Sequence, residues 1–344
     1  MPYGHRRASP AAAVELVPVF KHQLEHSRLE SGEMVVVVTD AVFDPNYAAA
    51  CMGAAQSLDA GAFQVVLPSR QPYDEDVLRS VFERAELIVY ATTHTLHYSD
   101  AMREALAKGK RALMAVVPPH VMERLVAEPT LIARTKAGAG VFEGAETIRI
   151  TSPGGTELSM SVVGRPGVAS YGVADVPGHL DFWGAGMFQV AIVEGSMKGR
   201  LVLDTGDLIF HFGRHIDRPV TIDFEDGRAV RFDGGVEAKL IRMFLEAARD
   251  PNAFVAGHLS CGTDPRAAWT AEIAQFPVAG GGGADAEAFY GNVQVELGSN
   301  DDAMFRGANR TNVHLGLCCL NTSLSVDGEE ILAEGDYVLD ALKA

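Results

Sequence analysis

Glu33-Met-Val-Val-Val-Val-Thr39, running into Asp40-Ala-Val-Phe-Asp44-Pro45, is the stretch on which the fold turns. An apolar, β-branched run with no polar alternation suits a strand covered on both faces, which is the situation of a parallel sheet. Pro45, just past a turn, suits the first position of a helix, where its missing N–H costs nothing. Working outward, residues 11–30 place Val14, Leu16, Val17, Phe20 and Leu24 close to helical spacing, and the alanine-rich residues 47–58 predict a second helix. The alternation then repeats, with strands expected at 63–67, 87–90 and 111–117 and helices at 74–84 and 99–107. Strands and helices in this order make an open, Rossmann-like α/β layer whose functional loops lie beyond the strand C-termini. Ala91-Thr-Thr-His94-Thr-Leu-His97-Tyr98-Ser99 is one such loop.

No G-x-G-x-x-G or G-x-x-x-x-G-K-[ST] follows any of these strands, so this half carries no dinucleotide or nucleotide-phosphate signature. Residues 128–145 turn to small side chains and glycine, and the domain limit is set there, at 135/136. Beyond it the period changes to short alternating runs at 147–151, 157–163, 189–193, 199–203, 220–224 and 228–232, divided by Gly, Pro and Asp. These predict an antiparallel sheet, joined by a helix over 237–249 and a closing hairpin over 323–332 that turns at Asp327-Gly328. The expected architecture is an N-terminal α/β domain over 1–135 and a C-terminal, antiparallel, β-rich α+β domain over 136–344. Gly280-Gly-Gly-Gly283 reads as a loop without a phosphate role, since no strand-to-helix turn surrounds it.

With 344 residues the chain is long enough for two cores, and 47% hydrophobic against 22% charged residues is a globular composition. Its net charge of −16 repels a polyanion in the absence of a basic patch, which disfavours nucleic acid. Four cysteines make no disulfide framework for a chain this size, and the N-terminus lacks a signal-peptide core. No run reaches the roughly 20 apolar residues of a membrane span. The expectation is a cytoplasmic protein outside the membrane.

Two histidines stand in uncharged, apolar company: Ala-Gly-His258-Leu-Ser-Cys-Gly-Thr-Asp264-Pro-Arg266-Ala-Ala-Trp269 and Thr-Asn-Val-His314-Leu-Gly316-Leu-Cys-Cys. Neutral imidazole is the commonest protein ligand for iron or zinc, and two distant histidines brought together by folding would suit such an ion. The competing reading makes each a core histidine satisfied by one hydrogen bond. Cys318, next to this run, reads either as a further ligand or as a buried inert thiol.

Taken with Leu203-Asp-Thr-Gly-Asp207, Gly234-Gly-Val-Glu237-Ala238, Tyr171-Gly-Val-Ala-Asp175-Val-Pro-Gly178 and Ala288-Phe-Tyr290-Gly-Asn292, these segments resemble the 2,5-dihydroxypyridine 5,6-dioxygenases, which are relatives of the aminopeptidase T (M29) metallopeptidases. The resemblance runs over most of the chain in segment order. It implies a homo-oligomer that uses a mononuclear non-haem Fe(II), held by two histidines and an aspartate, to open a hydroxylated pyridine with O2. The histidines fall on His258 and His314, and the aspartate falls on Gly316.

That vacancy leaves three outcomes open: another carboxylate compensates, an external anion or substrate oxygen fills the gap, or no metal binds. Asp264 is the first replacement considered and Glu237 the second; each also reads as a capping or surface carboxylate. Fe(II) is the expected ion, with Zn(II) or none as alternatives. His97 falls on the family's acid/base histidine, and a neutral imidazole suits removal of a hydroxyl proton. The family's glutamate before Tyr-Gly is Ser170, and the histidine after its Asp is Phe182, which points to a less acidic pocket and a different substrate. Arg266 and Tyr290 complete the expected substrate contacts, each with a structural alternative, a tie or a packing wall. The leading function is a ring-opening dioxygenase acting on a hydroxylated N-heteroaromatic or aromatic small molecule. The alternatives are a metallohydrolase of the aminopeptidase T type acting on an amide or lactone, and a ligand-binding member without metal.

Overall fold

A computed structural model describes residues 10–69, 72–270 and 284–344. The Gly280–Gly283 loop expectation lies outside these residues. The described residues divide into two compact units, one formed within 10–127 and 171–185 and the other within 128–170, 186–270 and 285–344. The expected limit at 135/136 falls inside a helix, Pro129–Val141.

In the first unit the valine run forms the strand Met34–Asp40, buried on both faces from Val35 onward. It pairs in parallel with Gly61–Leu67 on one side and Leu87–Ala91 on the other, followed by Arg111–Met114 and Leu180–Phe182. The last strand was not legible as one: it is three residues long and reaches this sheet from beyond the expected domain limit. Helices run Pro10–His26, Pro45–Ser57, Glu75–Phe82 and Asp100–Ala107. Asp44, Asp74 and Ser99 cap three of them by accepting hydrogen bonds from backbone N–H groups in the first turn.

Described residues of the second unit form two antiparallel sheets. One follows the order Arg228–Asp233, Val220–Glu225, Lys198–Leu203, Glu157–Ser161, Thr147–Thr151, Ser323–Val326, Glu329–Ala333, Asp336–Tyr337. The other follows Arg214–His215, Leu208–Ile209, His314–Cys319, Val293–Gly298, Ala256–Gly262, Met187–Ala191, Gly167–Ser170. A single hydrophobic core draws Ile148, Leu158, Leu201 and Ile222 from the first sheet and Val190, Leu259, Val295 and Leu317 from the second. No described helix is long and apolar enough to cross a membrane.

The small residues at 128–145 form no linker. They belong to Pro129–Val141, where a Cβ on Gly138 would lie 2.2 Å from the ring of Phe188 on the strand Met187–Ala191. On the facing strand, a Cβ on Gly167 would lie 2.0 Å from the carbonyl oxygen of Ala139. Their missing side chains let the helix lie flat on the sheet.

Candidate metal centre

Three central strands of the seven-stranded sheet alternate apolar and polar side chains. Leu259 and Cys261, Val293, Val295 and Leu297, and Leu315, Leu317 and Cys319 enter the shared core. Side chains two apart on a strand share a face, so the opposite face receives His258 and Ser260, Gln294 and Glu296, and His314, Gly316 and Cys318. Register brings these together: His258 is the cross-strand partner of Glu296, and Glu296 is the partner of Gly316. One histidine, one carboxylate and, two residues before the glycine, the second histidine therefore converge.

The ligand-capable atoms of His258, Glu296 and His314 all lie within 4.8 Å of one another. Nε2 of His314 is 3.9 Å from Oε2 of Glu296, and the two imidazole centroids are 5.2 Å apart. Phe305 stacks on the His258 ring at 4.3 Å. His258 is 2% exposed and Glu296 1%, yet Nδ1 of His258 and Oε2 of Glu296 have no hydrogen-bond partner among the described residues. A buried polar atom left unmatched costs about 1–3 kcal/mol, more if charged, which a cation between these donors would offset. Desolvation lowers the pKa of His258, with a smaller contribution from His314, and lowers that of His314 to about 4. Both rings are thus neutral and able to coordinate near pH 7. Burial, reinforced by Glu287, raises the Glu296 carboxyl well above its usual range. Two neutral imidazoles and one carboxyl, with Nδ1 of His258 and Oε2 of Glu296 unmatched, make a donor set that fits a divalent ion, and a coordinated carboxylate would be held ionised by it.

The expected carboxylate at Asp264 is not part of this group. Asp264 is buried, and its two oxygens accept hydrogen bonds from Nε and Nη2 of Arg266 at 3.0 and 2.8 Å and from the Arg266 backbone N–H at 2.9 Å. The second candidate, Glu237, accepts from Nη2 of Arg214 at 2.7 Å. Arg266 also reaches Glu128 at 2.8 Å, so the guanidinium expected to orient substrate ties two carboxylates together. Tyr290 packs edge-on against Tyr337 at 5.1 Å beside the shared core, and its hydroxyl accepts from the backbone of Ala344. Cys318 is buried and its thiol is raised well above the usual range, first by burial.

Ser170 is buried on the face that carries His258, joined in a neutral chain in which Gln189 donates to Ser170 at 2.9 Å and Ser260 donates to Gln189 at 3.1 Å. In the other unit, Nδ1 of His97 is 2.7 Å from the Tyr90 hydroxyl and 2.9 Å from that of Thr95, and its ring lies 6.3 Å from that of Phe182. Sequence reasoning missed Glu296. The available signal was the alternation in Val293-Gln-Val-Glu-Leu-Gly298, which sets two polar residues on one face of an otherwise apolar strand.

The sequence model of the family described as NicX, 2,5-dihydroxypyridine 5,6-dioxygenase, matches residues 15–339. The chain belongs to this family. It is 30% identical over 346 aligned residues to the 2,5-dihydroxypyridine 5,6-dioxygenase of Pseudomonas putida KT2440, an alignment covering 96% of this chain and 97% of that one. The solved structure of the 2,5-dihydroxypyridine dioxygenase from the same strain superposes with a TM-score of 0.86 at 28% identity, over 98% of this chain and all of the other. AmpT from Thermus thermophilus shares the fold at a TM-score of 0.66 and 12% identity, covering 95% and 99% of the two chains. The family's ring-cleaving dioxygenase activity implies a metal cofactor, and the His258, Glu296 and His314 donors suit one.

Proposed function

We propose that this dioxygenase uses Fe(II), held by His258, His314 and Glu296, to open a hydroxylated pyridine or a related hydroxylated ring. The convergence of the three donors, with a buried oxygen and a buried nitrogen left unmatched, is the observation that carries the reading. When bound, Fe(II) would supply O2 activation and open positions for a substrate oxygen.

The chain's own residues do the rest. Burial keeps both imidazoles neutral, so their nitrogen lone pairs are available near pH 7. Phe305 fixes the plane of the His258 ring by stacking. A single carboxylate leaves one positive charge of a divalent ion uncancelled, which favours a deprotonated ring hydroxyl over a neutral one. The Ser170, Gln189 and Ser260 chain offers hydrogen bonds without charge, which suits a substrate bearing fewer cationic groups than an acidic pocket would select. His97 is retained as the proposed acceptor of the substrate hydroxyl proton, a general-base contribution of about 10²–10⁴ in rate.

Protein purified without oxygen and loaded with Fe(II) is expected to consume O2 with a hydroxylated pyridine. His258→Ala and His314→Ala should lose the iron, whereas His97→Ala should keep the iron and lose kcat. Full iron occupancy in the double histidine variant would remove the metal assignment. Ring opening under strict anaerobiosis would point to hydrolysis instead.

A further inference from the structure

Glu296 and Gly316 face each other across two hydrogen-bonded strands, and the glycine explains where the carboxylate lies. A Cβ on Gly316 would stand 2.8 Å from Oε1 and 3.1 Å from Oε2 of Glu296, and 3.1 Å from Cβ of Phe210. The carboxylate therefore occupies the space that any side chain at 316 would enter. Gly316 is not among the glycines with positive φ, so its backbone makes no demand for glycine. Space does. Opposed Cβ atoms of an antiparallel pair are about 4.5–5.5 Å apart, a gap that the two methylenes of a glutamate bridge. A shorter acidic side chain rising from 316 would bring its carboxylate to the same region from the other strand.

Resting on the metal centre proposed above, we propose that Glu296 and Gly316 form one functional unit: the acidic ligand is supplied from the strand Val293–Gly298 because glycine on the facing strand leaves it room, and the ligand can be transferred between the two positions. Only one of the two can carry it at a time. The glycine is thus a determinant of metal binding, although it has no side chain to coordinate.

Co(II) and anaerobic Fe(II) affinities of the full chain, with the Co(II) visible absorption spectrum as a second readout, test this independently of turnover. Glu296→Gln keeps the side-chain shape and is expected to weaken binding by more than the roughly 10–100-fold that loss of an outer hydrogen-bonding partner costs. Gly316→Ala meets chiefly the movable end of Glu296, so the protein should stay folded while the displaced carboxylate weakens binding. The double variant Glu296→Ala/Gly316→Asp should recover affinity to within about tenfold of the parent, well above Glu296→Ala alone. Parent-like affinity in Glu296→Gln or in Gly316→Ala would overturn the proposal, as would a folded double variant no tighter than Glu296→Ala. The two single variants decide the matter even if the double variant fails to fold. Failure of the parent chain itself to bind either ion would instead remove the metal reading on which the unit rests.

Discussion

Asp181 accepts hydrogen bonds from the backbone N–H groups of Tyr171, Gly172 and Phe182, an arrangement that favours its charged form. Complete burial opposes it and prevails, pushing the carboxyl up to about 8. The folded protein therefore keeps this proton up to about pH 8, while the unfolded chain releases it near 4. Because the unfolded state binds fewer protons across that window, this group's contribution to stability falls as pH rises through it and levels off above. Asp181→Asn keeps one accepting oxygen in place of two at every pH and has no proton to retain. Its stability deficit relative to the parent should therefore shrink between pH 5 and pH 9, read from urea midpoints. A deficit that stays constant over that range would mean the three N–H donors outweigh burial, because the titration would then lie below about pH 4. The candidate metal centre was legible at this same scale only in part. His258 and His314 stand out because histidine is unusual in apolar runs, whereas Glu296 sits in a run with no motif around it, and Asp264 drew attention by closeness in sequence although Arg266 occupies its oxygens.

Elements gave the clearest sequence signals where one period dominates, and the weakest where packing overrides composition. The valine run and the alternating strands near 147–163 and 220–232 appear close to where period alone puts them. The stretch at 128–145, read as the place of a domain limit because it is rich in small residues, begins where the first unit gives way to the second and is mostly a helix whose small residues are contact points. Gly138→Ala shows which effect is larger. Alanine gains up to about 1 kcal/mol of helix propensity over glycine, while overpacking a filled core costs about 1–3 kcal/mol. Phe188 is fully buried and is packed by Phe142 and Tyr337 at ring distances of 5.4 and 6.0 Å, so its ring cannot swing aside. Net destabilisation is expected in denaturant titration, and Gly167→Ala should cost more because its Cβ would meet the rigid carbonyl of Ala139. A stabilised Gly138→Ala would show that the helix shifts freely on the sheet.

At the scale of the whole molecule, the binding of an ion is linked to folding. A ligand that binds only the folded state adds about 2.7 kcal/mol at a hundredfold excess over its Kd. Fe(II) or Co(II) should accordingly raise Tm, with the rise reversed by a chelator and absent from the double variant His258→Ala/His314→Ala. An equal rise in that variant would place the stabilising ion elsewhere. The net charge of −16 gives divalent cations a favourable general field, so this control is needed to separate the specific site from diffuse attraction.

By itself the sequence determined the layer types, because the period of apolar side chains records which face of each element is covered. It also marked two imidazoles as unusual, because an ionisable ring among aliphatic neighbours needs a partner. Only tertiary structure decided the partner. Glu296 lies 38 positions from His258 and 18 from His314 along the chain, and they meet through strand register, a relation between distant segments that local spacing does not encode. The fate of Asp264, the lodging of Glu296 over Gly316 and the return of residues 171–185 to the first unit were decided in the same way, by which backbones came to lie side by side.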